Sequence, residues 1–383
     1  MTSPSAPITE RKYLVPFILV TSLFFLWSIG VHLNDVLVPH FKKAFDLTDF
    51  QSSFIQVAFF GGYFLAAFPA GRLMEKIGYK NGILVGLLIC SAGTLLFLPA
   101  ASSRQYAFFL LALFVMSSGQ SFLEVGANPY VTILGPPETS ARRLNFAQSF
   151  NAVGGALVPT LGAAFILSGI EHTAAQRAAM SPQELQAYIT SEANMVRVPY
   201  LVITAIFLSV AALIYLALPK VDPRQSEATA VASTEDSGRL LAHAHLIKGI
   251  VAQFFYVGAQ VGVASFVIRF TKHTMPDTLD RMAHWGSQFL AAHRGENATF
   301  VTYLVPDSPE KMAALFLVAH QIGFMIGRFS GSWMMKRISA PRLLAIFGVG
   351  ALACILIGIA TSGLVAVLAI VLVGFFNSIM FPT

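Results

Sequence analysis

The chain has 383 residues, 55% of them hydrophobic and only 11% charged, where soluble domains carry about 25% charged residues; that excludes an ordinary soluble enzyme and points to a polytopic membrane protein. The net charge of +6 does not make a nucleic-acid binder, because the basic residues are dispersed among loops between apolar segments, with no stripe or arm. The two cysteines, Cys90 and Cys354, both sit inside apolar runs, so no disulfide framework is implied.

A bilayer span needs about 20 apolar residues, and the hydropathy pattern predicts an all-α protein with ten spans: 13–38, 51–73, 80–100, 104–129, 142–169, 197–219, 246–272, 310–335, 341–361 and 364–383. The first is too long for a signal-peptide core and has no small-residue cleavage site behind a short apolar region, so it is expected to stay as a membrane helix. It carries Trp27 and, one heptad later, Asn34 followed by Asp35. Asp35 reads either as a group at the outer interface or as a titratable carboxylate suited to a proton relay.

The fourth span holds the chain's central feature, Gly119 to Pro129, in which spacings of four put Gln120, Glu124 and Asn128 on one helical face. A charge near the bilayer centre costs roughly 3 kcal/mol or much more, so Glu124 is expected to face protein or a water-filled cavity, as a substrate or proton site or as a buried polar group serving packing. On the fifth span Asn145, Gln148 and Asn151 recur every three residues, before Gly154 and Gly155, whose small size permits close helix approach. On the seventh, Gln253, Tyr256 and Gln260 share a face. Amides both donate to and accept from hydroxyls, and an aromatic ring covers the apolar face of a sugar, so these stripes suit a neutral polyhydroxyl substrate; the competing reading is hydrogen-bonded glue between helices.

Between spans six and seven, residues 220–245 form a polar linker rich in Ser, Thr, Glu and Asp. It divides an N-terminal half, 1–219, from a C-terminal half, 246–383. An internal repeat supports the division: Ala70 to Lys76 returns 260 residues later as Ser330 to Lys336, at the inner end of each half's second helix, which fits two parallel repeats. With the N-terminus cytoplasmic, the short inner loops are the basic ones, as the positive-inside rule requires. Ser181-Pro182-Gln183-Glu184 reads as a capping box with Pro at the first helical position. Asp277 to His293 is predicted to be an amphipathic helix presenting Leu279, Met282, Phe289 and Leu290 to the membrane interface. No metal constellation, phosphate loop or dinucleotide fingerprint occurs, so neither metal nor cofactor is expected, and transport would draw on an ion gradient.

These residues resemble the fucose permease branch of the major facilitator superfamily, the fucose:proton symporter group. The similarity is carried by Phe24 to Trp27 with Leu33 to Asp35, Pro69 to Gly71, Leu123-Glu124 with Ala127 to Pro129, Leu144-Asn145 with Gln148 and Phe150-Asn151, Tyr256 to Gln260, and Gly327 to Phe329. The resemblance implies an alternating-access carrier, not an enzyme, that couples uptake of a monosaccharide to protons through Glu124 and Asp35, with Gln148 and Asn151 as sugar contacts. Asn145, Asn34, Trp27, Gln120, Asn128, Gln253, Tyr256, Gln260 and Phe381 complete the expected substrate set.

Gly71 to Lys80 looks like the superfamily's loop between helices two and three, with Glu75 where Asp is usual and Lys76 and Lys80 as its basic members. Phe381 stands where the fucose type has tyrosine, and Gln260 is neutral where a carboxylate is expected in hexose-transporting relatives; the latter favours L-fucose, with glucose or galactose as the alternative. The family has twelve helices, so this chain is expected to be a piece of a longer protein, and a non-transporting sugar sensor or inactive remnant is the rival reading. A monomer in the bacterial inner membrane, in contact with lipid, sugar and proton and with no nucleic acid, is the expected setting.

Overall fold

The computed structural model describes residues 7–44, 47–103, 105–166, 179–184, 188, 197–218, 243–292 and 305–381, with the side chains of 33–44, 49, 158–166 and 198 outside that description. Contacts divide the chain into two compact units, Met1–Ala232 and Ser233–Thr383; the division falls within the stretch read as a linker.

The first unit contains α1 (Leu14–Ala44), α2 (Asp49–Ser103), α3 (Tyr106–Thr132), α4 (Ser140–Ile166) and α5 (Arg197–Ala217). The second contains α6 (Ala244–Thr274), α7 (Pro276–Ala292), α8 (Pro309–Met334), α9 (Ala340–Ala360) and α10 (Gly363–Asn377). A helix lies under each predicted span, because helices alone satisfy every backbone group within one segment in lipid. Among the described residues seven helices are long and apolar enough to cross a membrane by length and composition. α4 is outside that set, and α10 is a shorter apolar helix.

One boundary differs from its prediction. The sequence places a loop between spans at 73 and 80, whereas α2 continues through Gly71, Glu75 and Lys76 and breaks at Gly78 alone (φ 79°, ψ 162°). Glycine adopts that positive φ without the steric cost a Cβ would add, so one residue turns the chain. Glu75 and Lys76 are exposed, while Lys80 donates from Nζ to the carbonyls of Tyr215 (2.8 Å) and Leu218 at the end of α5. Lys80 thus meets carbonyls that have no helical partner of their own.

In the first unit α3 lies along both halves of α2, and α1 packs on α4. Leu23, Phe24, Leu87, Leu123 and Tyr130 build one core. Phe59, Phe97, Phe109 and Tyr200 build another, with Tyr200 stacked on Phe97 at 3.8 Å between ring centroids. The turn into α4 is held by fully buried Arg143, which donates to the carbonyls of Val131 (3.0 Å), Pro136 (3.0 Å), Ile8 (3.1 Å) and Thr132, and to the Thr139 hydroxyl (2.7 Å). A buried guanidinium with five donors is here spent on backbone, tying the segment before α1 to the α3–α4 turn.

The capping box is formed: the Ser181 N–H donates to Glu184 Oε2 (2.9 Å) and the Glu184 N–H donates to Ser181 Oγ (3.2 Å). In the second unit α8 and α9 both pack on α10. α7 forms where predicted, but Leu279 is buried against Met275, Ala283, Met312, Ala313 and Val367. That residue faces protein and not the membrane interface, because α7 turns its smallest side chains and Leu279 onto the first turn of α8.

Candidate functional site

The first half of α2 and the C-terminal half of α3 face one another through side chains of matched helical spacing. Phe60, Tyr63, Phe64 and Ala67 come from α2, at the i, i+3, i+4 and i+7 positions of one stripe. Ser121, Glu124, Val125, Asn128 and Pro129 come from α3. Between them lies a cavity of about 530 Å³, within the 300–1,000 Å³ range usual for small-molecule sites.

Its polar groups are few and placed. Ser121 Oγ donates to the Tyr63 carbonyl (2.9 Å), which pins the two helices at one edge. The Tyr63 hydroxyl is buried and has no hydrogen-bond partner among the described residues, and Tyr63 lines the same cavity as Glu124. Gln148 Nε2, from α4, donates to Asn128 Oδ1 (2.9 Å). Pro129 has no N–H to return to the Val125 carbonyl one turn earlier, so a backbone acceptor is released in the wall beside Glu124. A carboxylate, an amide, a phenol and a freed carbonyl among aromatic faces can together hold a polyhydroxyl ring and take or give a proton.

The remaining predicted residues divide. Asn151 Nδ2 donates to the Phe24 carbonyl (3.3 Å), and the Asn151 carbonyl accepts from Ser28 Oγ (2.8 Å); this seam joins α4 to α1. Asn145 is fully buried and donates to the Ala141 carbonyl (3.1 Å). Trp27 is buried against Phe24 with ring centroids 4.9 Å apart. Gln120 is fully buried over Gly30, with neither polar atom of its amide partnered among the described residues. None of Trp27, Gln120, Asn145, Gln148 and Asn151 lines the cavity with Glu124; Gln148 reaches it through Asn128. The side chains of Asn34 and Asp35 lie outside the described ones.

In the second unit Gln253 Nε2 donates to the Phe381 carbonyl (3.0 Å) and the Tyr256 hydroxyl to the Asn377 carbonyl (2.7 Å). The acceptors lie where α10 ends and a turn follows, and both side chains are thus used on backbone in this structure. Gln260 is half-buried on α6. Sequence reading passed over Tyr63, Phe60 and Phe64; the signal present was their helical spacing opposite the Glu124 stripe. Among the described residues no group of His, Cys, Asp and Glu could hold a metal ion.

The Major Facilitator Superfamily pattern matches residues 17–383. The chain is 38% identical over 377 residues to the L-fucose-proton symporter of Escherichia coli (strain K12), covering 98% of this chain and 79% of that protein. It is also 38% identical over 375 residues to the glucose/galactose transporter of Brucella abortus biovar 1 (strain 9-941), covering 98% of this chain and 80% of that one. A crystal structure of the transporter FucP in the outward conformation superposes with a TM-score of 0.77 at 38% identity, over 97% of this chain and 83% of that one. The xylose transporter XylE from E. coli, partially occluded and inward open, shares the fold at a TM-score of 0.54 and 12% identity, over 97% of this chain and 85% of that one. The protein belongs to the Major Facilitator Superfamily.

Proposed function

We propose that this protein is a proton-coupled monosaccharide symporter working by alternating access, with L-fucose as its preferred sugar. The observation that carries the reading is Glu124, a carboxylate in the wall of a sugar-sized cavity, one helical turn from an Asn128 already hydrogen-bonded to Gln148. Relatives named for fucose:proton symport and for glucose and galactose transport are equally similar at 38%, so the choice of sugar rests on the neutral Gln260.

Protonated, Glu124 is a neutral donor to a sugar hydroxyl, and the cavity can close without burying a net charge. Ionised, it favours the hydrated, open cavity, because burial disfavours the charged form of a carboxylate. Asp35 hands protons between outer water and Glu124; Gln148 and Asn151 hold the sugar, with Tyr63 and the Val125 carbonyl offering further contacts. The protein works as a monomer in the bacterial inner membrane with its N-terminus cytoplasmic.

The test is uptake of labelled L-fucose, glucose and galactose into proteoliposomes, with and without an imposed pH gradient. L-Fucose should accumulate only under the gradient. Binding without accumulation would make the protein a sensor, and stronger competition by glucose than by unlabelled fucose would overturn the sugar preference.

A further inference from the structure

α7 divides its surface into three strips. Leu279, Ala283 and Gly286 are buried; a Cβ on Gly286 would lie 2.0 Å from the Pro306 carbonyl oxygen, so this side is sealed against the protein. The opposite side carries the exposed polar residues Asp277, Asp280, Arg281, His284 and Gln288. Between the two runs a third strip, Met282, Trp285 and Phe289, at spacings of three and four. Trp285 is 64% exposed and stacked on Phe289 with ring centroids 5.7 Å apart, and Met282 is 36% exposed. Nothing in the mechanism uses this strip.

Chain continuity says what covers it. α6, of membrane-crossing length, ends at Thr274, and Met275 alone separates it from the first residue of α7. The buried face of α7 rests on Met312 and Ala313 in the first turn of α8, a second helix of membrane-crossing length. α7 therefore lies at the level where two spans end, which is the headgroup layer. Trp and other amphipathic aromatics concentrate there, apolar body toward the acyl chains and indole N–H toward water. Charge does not supply the attraction: one Arg against two Asp leaves residues 276–292 at −1 with His neutral.

We propose that Met282, Trp285 and Phe289 form a lipid-docking ridge, inserted among phospholipid headgroups by apolar and aromatic contact and not by attraction to anionic lipid. α7 is then held between protein on one side and bilayer on another, with its third face in water.

Site-directed spin labelling of the full chain in proteoliposomes tests this. Labels at Met282→Cys, Trp285→Cys and Phe289→Cys should collide with oxygen in preference to a water-soluble nickel chelate, those at Arg281→Cys, His284→Cys and Gln288→Cys the reverse. The oxygen-to-nickel ratio should differ at least about twofold between the strips, as fits side chains about 5–10 Å into the headgroup boundary. Independently, in a Trp333→Phe background, since Trp333 is exposed at the end of α8, Trp285→Phe should remove the tryptophan fluorescence quenched by lipids brominated high on the acyl chain, and the loss should be the same with and without anionic lipid. Equal nickel access at all six positions would overturn the proposal. So would ridge labels shielded from both reagents, which would mean a protein partner or a second copy on that face, or quenching that appears only with anionic lipid.

Discussion

The first half of α2 with α3, and α8 with α10, are pinned in the same way but differ in what their polar side chains do beside the contact. α2 and α8 carry the matching segments Ala70 to Lys76 and Ser330 to Lys336, and both meet their partner helix through a close glycine contact, yet the first pair flanks an open cavity with a carboxylate and the second spends its polar groups on backbone. On α2 a Cβ on Gly62 would fall 2.5 Å from the Phe114 carbonyl oxygen, while Phe60 and Phe64, both exposed, rim the cavity beside Glu124. In the second unit a Cβ on Gly327 would fall 2.4 Å from the Phe375 carbonyl oxygen, and one on Gly374 2.4 Å from that of His320. Polar side chains there are spent on backbone: Arg328 Nε donates to the Ser378 carbonyl (3.0 Å) and Tyr256 to that of Asn377. Beside the one contact a cavity leaves a carboxylate room to act; beside the other the polar groups serve as struts.

Breaking the glycine contact of α8 with α10 should give the largest effect. Gly374→Leu drives a side chain into the backbone of α8, which cannot rotate away, and should destabilise by about 3 kcal/mol or more, the upper end for overpacking, read as a fall in Tm in detergent. Next, Asn128→Ala removes the acceptor of Gln148 Nε2, a loss of about 1.5 kcal/mol, the upper end for one net hydrogen bond. It should raise KM for sugar more than it lowers Tm, with Asn128→Asp recovering part of the loss. Tyr256→Phe removes one neutral donor and should lower stability by about 0.5–1.5 kcal/mol; a rise in KM beyond that loss would show that the phenol also touches sugar, softening the contrast between the units. Gly61→Ala should do least, within about 0.5 kcal/mol, because a Cβ there meets nothing within 4 Å. A large Tm shift in that variant would show that the face of α2 carrying Gly61 is not open but closed like that carrying Gly62.

Length and hydropathy made the helices legible, since one side-chain period and one span length govern every membrane segment. The grouping of Glu124 with Asn128 was legible for the same reason, since i, i+4 spacing fixes a shared face on α3, and the regular amides of α4 were legible as a stripe; that Gln148 meets Asn128 was not. What spacing cannot encode is the partner across the gap. Tyr63 and Phe60 look like ordinary apolar-helix residues until α2 is set against α3. Gln253 and Tyr256 read as ligands because an amide or phenol in lipid needs a partner; that the partner is a carbonyl at the end of α10 depends on where that helix stops. The turn at Gly78 was missed for a similar reason, since hydropathy registers the polar residues around it and not the one positive φ that ends the first half of α2.

The claim that the open pair is where proton and sugar meet rests on Glu124, and Glu124→Gln tests it most directly, because the amide keeps the shape of the protonated side chain and cannot titrate. Uptake should be measured in proteoliposomes under an imposed pH gradient alongside sugar counterflow without one. Gradient-driven accumulation should fall to the level of protein-free vesicles while counterflow persists. Undiminished proton-driven accumulation in Glu124→Gln would contradict the mechanism.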